Sequence, residues 1–205
     1  IFNGECSKEE ITLHRDKLQD DSVDCLIAAG GGKCIDAGKS IADKLGVPVA
    51  VVPTLASNDA PCSALSVVYG TGGEVTDVEF FRNNPALVVV DTGVVARASE
   101  RYLVAGMGDA MATWYEARVC IENPNAMSTI GGRPTLAACA IGEVCAKTLY
   151  EEGVAACASV QSNSVTEALE KVVEANTLLS GIGFESGGLA VAHSIAQSYA
   201  MIPVV

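Results

Sequence analysis

Three consecutive glycines and a lysine, Gly30-Gly31-Gly32-Lys33, stand between a short apolar run and a helical pattern. No other feature constrains the fold of this chain as much. The run Asp24-Cys25-Leu26-Ile27-Ala28-Ala29 has the length of a strand. Behind the glycines, Ile35, Ile41 and Leu45 recur on one helical side, Gly46 stops the helix and Pro48 lies beyond it. Val47 to Val52 is the next apolar run. A strand-helix-strand succession of this size calls for parallel strands and a right-handed crossover. It sets the glycine turn at the carboxyl end of a strand, where open parallel sheets bind ligands.

The α/β pattern continues to about Arg97. Leu65 to Tyr69 and Val75 to Phe81 read as two strands around Gly70-Thr71-Gly72-Gly73, and Leu87 to Val90 as another buried strand ending in Asp91-Thr92. A helix is expected near Lys8 to Leu18, after an opening that reads as the tail of a strand. Beyond Arg97 the strand signals stop. A helical region starts at 98–101, and helices are expected at Asp109 to Cys120, Pro134 to Tyr150, Val165 to Leu179 and Leu189 to Ala200. Gly131-Gly132 and Gly181-Ile182-Gly183 are read as breaks. The expectation is an α/β nucleotide-binding domain over 1–97, with a Rossmann-like parallel sheet, followed by an all-α domain over 98–205.

Of the 205 residues 49% are apolar and 19% charged, too apolar for a disordered chain. With 25 acidic against 13 basic residues the net charge is −12, which argues against a nucleic-acid partner. The apolar runs are far short of the roughly 20 residues a membrane helix needs, and no signal peptide opens the chain. Cytoplasmic placement is expected. The eight cysteines include no C-x-x-C pair and are read as free thiols acting as small hydrophobes in a reducing cytosol. The chain starts at Ile1 and stops in the apolar Met201-Ile202-Pro203-Val204-Val205, so it is expected to begin and end mid-fold.

Four segments carry chemistry. The glycine turn lets backbone N–H groups approach an anion at a helix N-terminus, with Lys33 adding positive charge. It matches neither G-x-G-x-x-G nor the Walker pattern, so phosphate binding and a plain glycine-rich turn both stand. Asp36 is read as a first-turn carboxylate that suits the helix dipole, and Lys39 as a solvated residue. The second segment, Pro53-Thr54-Leu55-Ala56-Ser57-Asn58-Asp59-Ala60-Pro61-Cys62-Ser63, is a hydroxyl-rich loop between two stiffening prolines. It suits a ribose, an amide or a polyol, or is an ordinary polar loop. In the third, Gly106-Met107-Gly108-Asp109-Ala110-Met111-Ala112-Thr113-Trp114, Asp109 reads as an N-cap. In the fourth, Gly187-Gly188-Leu189-Ala190-Val191-Ala192-His193, His193 reads as a hydrogen-bonded core histidine. His14, amid charged residues, is expected to be exposed.

Taken together, GGGKCIDAGKSIAD, VPTLASNDAPCSALSVVY, NPALVVVDT, LVAGMGDAMATWYEA and VTEALEKVVEANTLLSGIGFESGGLAVAH resemble the glycerol dehydrogenases of the iron-containing (group III) alcohol dehydrogenase superfamily. The resemblance covers most of the chain and implies a dehydroquinate synthase-like fold. It implies NAD on the first domain, a divalent metal (zinc in this subfamily) on the second, a small polyol substrate between them and a homo-oligomer. Carried over residue by residue, Gly31, Gly32 and Lys33 match the pyrophosphate turn. Thr54, Ser57, Ser63, Leu65 and Tyr69 match the nicotinamide side, and Asp59 a carboxylate that touches the glycerol hydroxyls. Asp109 and His193 match metal ligands. The chemistry implied is oxidation of glycerol or a similar vicinal diol to dihydroxyacetone, the metal polarising the hydroxyl and hydride passing to the nicotinamide.

The chain departs from the pattern in two places. The family's third ligand, a histidine in a His-Gly-Glu context, lies past His193 and is not reached by Val205. The further imidazole of His-x-x-His is absent, since the sequence reads His193-Ser194-Ile195-Ala196. Two other readings follow: a non-catalytic homologue, and a dehydroquinate synthase-like enzyme. The latter should need basic residues near Asp59 for a phosphorylated substrate, and the sequence around Asp59 shows none.

Overall fold

A computed structural model describes residues 1–70, 72–199 and 202. Helix α1 (Lys8–Leu18) is capped by Ser7, whose Oγ accepts from the Glu10 N–H, and carries Glu9 and Glu10 in its first turn. Strand β1 (Leu26–Gly30) runs into helix α2 (Gly32–Leu45) and strand β2 (Val49–Pro53). Gly46 ends α2 at φ 71°, a left-handed position that lets its N–H reach the Ala42 and Asp43 carbonyls. β1 and β2 pair in parallel from Leu26↔Val49 to Gly30↔Pro53, as the sequence pattern demands. β3 (Leu65–Tyr69) and β4 (Val75–Phe80) form the expected antiparallel hairpin.

Strand β5 (Leu87–Val88) joins the far edge of β2 in parallel, giving a three-stranded order β1-β2-β5. It is shorter than the expected Leu87 to Val90, and it is not buried. Leu87, Val89 and Ile27 are exposed. The physical reason is one-sided cover. α2 packs so tightly on Ala28 that a Cβ at Gly38 would lie 2.4 Å from the Ala28 Cβ, whereas no described element lies over Ile27. Residues 1–6 form no strand tail; Asn3 binds the Glu10 carboxylate through its N–H (2.9 Å) and its Nδ2 (2.8 Å). His14 is not free in solvent: it is half-buried, its Nε2 3.0 Å from Glu10 Oε1.

α2 is buried on more sides than its apolar spacing implies. α1 and the hairpin pack on it away from the sheet, around Cys6, Ile11, Ala37, Ile41 and Val68. Asp36 and Lys39 are consequently buried, against the expectation of a dipole-suited surface carboxylate and a solvated lysine.

Helix α3 (Thr92–Ala96) is capped by the Asp91 carboxylate. The rest is helical: α4 (Glu100–Glu122), α5 (Leu136–Gln161), α6 (Glu167–Glu174), a π-helical turn (Ala175–Leu179), α7 (Ser180–Gly187) and α8 (Val191–Tyr199). Asp109 does not open a helix; it lies in the middle of α4. Gly106 is there for contact, since a Cβ would fall 2.0 Å from the Ala56 carbonyl oxygen. α5 starts after its Thr135 cap, so Pro134 precedes the helix, and it runs eleven residues past Tyr150. Gly181 and Gly183 do not break the 167–187 helical run either. A Cβ at Gly181 would sit 3.0 Å from the Cys62 Cβ, and one at Gly183 2.8 Å from Thr113 Cγ2. The run stops at Gly188, φ 95°. The helical core gathers Leu103, Ala110, Cys145, Leu149, Leu169, Val172 and Val173, with Ala56 from the loop after β2. All eight cysteines are unpaired. No described helix is long and apolar enough to cross a membrane.

Candidate active site

The parallel register puts the carboxyl ends of β1 and β2 side by side, so the glycine turn and the loop that follows Pro53 meet at one edge. The Thr54 N–H donates to the Gly30 carbonyl (2.9 Å). An open groove of ≈ 1040 Å³ runs here, lined in part by Gly30, Gly31, Gly32, Lys33, Ser57 and Asn58. Gly31 caps α2 without a side-chain hydrogen bond, which leaves the first N–H groups of the helix for an outside acceptor. Room is made by absent side chains: a Cβ at Gly32 would fall 2.2 Å from Asn58 Nδ2 and one at Gly31 3.1 Å from Leu55 Cδ1. Lys33 lines the groove but is held at its rim, its Nζ 2.7 Å from Glu5 Oε2 and 4.7 Å from the centre of the Tyr69 ring.

The remaining residues of the nicotinamide set are distributed unevenly. Thr54, Ser57 and Leu65 are half-buried. Burial, with the nearby Asp36 and Glu5 carboxylates, pushes Tyr69 up to about 12, so it stays a neutral phenol. Of this set only Ser57 lines the groove; Thr54, Leu65 and Tyr69 do not, and Ser63 is buried away from it. Its Oγ accepts from Lys39 Nζ (3.1 Å), which also donates to the Ala60 carbonyl (2.8 Å) and lies 2.9 Å from Asp36 Oδ1. Asp36 Oδ2 accepts from the Val67 N–H, so this buried pair ties α2 to β3 and to the loop carrying Asp59.

Asp59 faces the helical half. Its Oδ2 accepts from Ser180 Oγ at 2.6 Å. Burial, then the Asp109 charge, push its carboxyl up to about 7, with the Ser180 hydrogen bond opposing. On α4, Asp109 Oδ1 lies 3.5 Å from His193 Nε2 of α8. The other ring nitrogen, Nδ1, is bonded to the buried Glu116, which also accepts from the His193 N–H (3.1 Å). Burial lowers the His193 pKa, but hydrogen bonds to Asp109 and Glu116 and their charges outweigh it and raise it to about 9. Sequence reasoning paired Asp109 with His193 through family resemblance alone, and the structure brings the two together. It missed Glu116, although seven residues after Asp109 is two turns along the same helix face. Ser180 and Asn176 had no signal in the sequence. Asn176 Nδ2 stitches the Ala56 carbonyl (2.9 Å) to the Leu103 carbonyl (3.2 Å).

The donor set suits a divalent cation. Oxygen and nitrogen ligands at about 2.0–2.1 Å subtending a tetrahedral angle lie about 3.3–3.4 Å apart, close to the observed separation. Glu116 holds the imidazole so that Nε2 points at Asp109, a common support for a metal-binding histidine. No third His, Cys, Asp or Glu completes the set among the described residues.

The two shifted groups fix a pH dependence for the metal-free protein. Asp59 has a folded value raised from 3.8 to about 7, so burying its charge costs stability increasingly across that interval. His193, raised from 6.5 to about 9, stabilises fully below pH 6.5 and loses that contribution as pH rises through 9. The contribution of these two groups to stability should therefore fall between pH 4 and pH 9. Asp59→Asn should melt above the native chain at pH 8 and level with it at pH 4; equal melting curves at pH 8 would contradict the assignment.

A parallel sheet thus carries a glycine turn at its carboxyl edge, and the helical half that follows presents a carboxylate and an imidazole. Over residues 1–92 the chain matches the family described as iron-containing alcohol dehydrogenase. Its relatives include glycerol dehydrogenases of Thermotoga maritima (53% identical over 95% of this chain and 53% of the relative) and Escherichia coli (50% identical over 98% and 55%). The crystal structure of a probable glycerol dehydrogenase from Sinorhizobium meliloti superposes with a TM-score of 0.95 at 40% identity, over 98% of this chain and 57% of that one. The chain thus spans about half the length of the curated relatives it matches.

Proposed function

We propose that this protein oxidises glycerol or a similar vicinal diol with NAD, yielding dihydroxyacetone from glycerol, and that a divalent metal held in part by Asp109 and His193 assists the reaction. The observation that carries this reading is the 3.5 Å approach of Asp109 to His193, with a half-buried Asp59 whose loop also lines the groove at the glycine turn. Residues 1–97 would bind the nucleotide and 98–205 the metal, zinc by preference for the nitrogen and oxygen donors. The unpaired cysteines fit a cytoplasmic protein.

The N–H groups at the start of α2 would hold the pyrophosphate, with Gly31 and Gly32 allowing close approach. Thr54, Ser57, Leu65 and Tyr69 would flank the nicotinamide; Ser63 would act through the loop it braces. The metal supplies positive charge that makes a substrate hydroxyl a better acid. Asp59 accepts a hydrogen bond from a neighbouring hydroxyl and so orients the polyol. Glu116 keeps the imidazole of His193 in one rotamer.

The test is NADH absorbance with zinc, NAD and glycerol. NADH and dihydroxyacetone in equal amounts are expected, with at least about a hundredfold loss in Asp109→Ala, since a removed ligand takes the positioned charge with it. No NADH would contradict the reading. Turnover of a phosphorylated acyclic substrate alone would favour a dehydroquinate synthase-like reaction instead.

A further inference from the structure

Thr113 and Ser180 lie in the segments that carry Asp109 and His193 but have no role assigned to them, and their hydroxyls end on the site. Both residues are fully buried. Ser180 Oγ lies 2.6 Å from Asp59 Oδ2 and 2.9 Å from Thr113 Oγ1. A serine hydroxyl has one proton to give, and an ionised carboxylate can only accept. Ser180 therefore donates to Asp59, and Thr113 must donate to Ser180. The chain is directed: Thr113 to Ser180 to Asp59 Oδ2. Neither hydroxyl has water as an alternative partner. The packing that holds them is close, for Gly183 lies against Thr113 where a Cβ would come within 2.8 Å of Cγ2. Among the described residues no other donor reaches Asp59. One carboxylate oxygen is thus committed to the protein and the other, Oδ1, remains as the acceptor.

We infer that the Thr113–Ser180 pair is a specificity-determining positioning element, which locks the rotation of the Asp59 carboxylate so that Oδ1 meets the second hydroxyl of a vicinal diol. The inference rests on the polyol reading of the site. A diol satisfies Oδ1. A monohydric alcohol leaves this acceptor unpaired, and sites built around such a group reject the analogue that lacks its partner. Ser180→Ala removes the donor and lets the carboxylate turn. Thr113→Val keeps the shape of the side chain and only withdraws direction from the Ser180 proton.

The experiment compares kcat/KM for glycerol and for propan-2-ol in the native protein, Ser180→Ala and Thr113→Val. Ser180→Ala should lose about tenfold or more on glycerol, the value of one hydrogen bond to a charged group, and change less than about threefold on propan-2-ol. Thr113→Val should lose about threefold on glycerol alone. A parallel readout without turnover is the ratio of propane-1,2-diol to propan-2-ol binding by saturation-transfer NMR. That ratio should fall in both variants. Equal losses on both alcohols, or an unchanged binding ratio, would overturn the inference. A native protein that oxidises neither alcohol overturns the polyol reading instead, and the binding ratio still decides the role of the pair. Should Ser180→Ala fail to fold, Thr113→Val decides it.

Discussion

Gly106→Ala should cost about 3 kcal/mol of folding stability, the upper end of what forced overpacking does, while Gly108→Ala two residues later should gain about 0.5–1 kcal/mol. Both glycines lie within α4 and carry the same backbone entropy penalty. Their surroundings are opposite. A Cβ at 106 meets the Ala56 carbonyl oxygen at 2.0 Å and Asn176 Nδ2 at 2.5 Å; one at 108 meets nothing within 4 Å. The Ala56 carbonyl cannot swing aside cheaply, because it accepts from Asn176 and starts the loop that holds Asp59. Urea midpoints check this, and the sign of the difference is the result that matters. If both substitutions stabilise, α4 does not approach the loop as described.

Lys39→Met should cost about 3–5 kcal/mol, the range for removing one partner of a buried ion pair. Lys39 is 2% exposed and Asp36 7%. Burial already pushes the Asp36 carboxyl up, and the Lys39 charge is the main force holding it down. Without the lysine, Asp36 takes up a proton, so the loss should shrink as pH falls. Asp36→Asn added to Lys39→Met should recover most of the stability, because the amide oxygen still accepts from the Val67 N–H. A single variant as stable as the native chain, or a double variant no better than the single, would contradict this account.

These two sites show where sequence reasoning reaches and where it stops. The β1-α2-β2 unit was legible because glycine turn, helix stop and strand lengths all agree locally. The hairpin was legible for the same reason. The burial of Lys39 was not, since it follows from the hairpin folding over the second face of α2, a long-range event without local periodicity. The glycines misled for a related reason. Gly181 and Gly183 look like helix breakers, whereas each marks a close approach to another segment. Strand β5 has exposed side chains at Leu87 because α2 covers only one face of the sheet, which apolar content alone does not reveal. At the site, Asp109 and His193 are 84 residues apart in the chain, and only resemblance joined them before the fold did. Glu116 was within reach of helical spacing; Ser180 and Thr113 were not, because a buried serine or threonine carries no pattern of its own.

The central claim is that Asp109 and His193 share one cation. Calorimetric zinc titration of the native chain, Asp109→Asn and His193→Gln tests it most directly, and the thiols, identical in all three, cancel in the comparison. The account predicts one zinc equivalent in the native protein, weakened at least about tenfold in each variant, with proton release below pH 9 as zinc displaces the His193 proton. Identical isotherms for the three chains would contradict it.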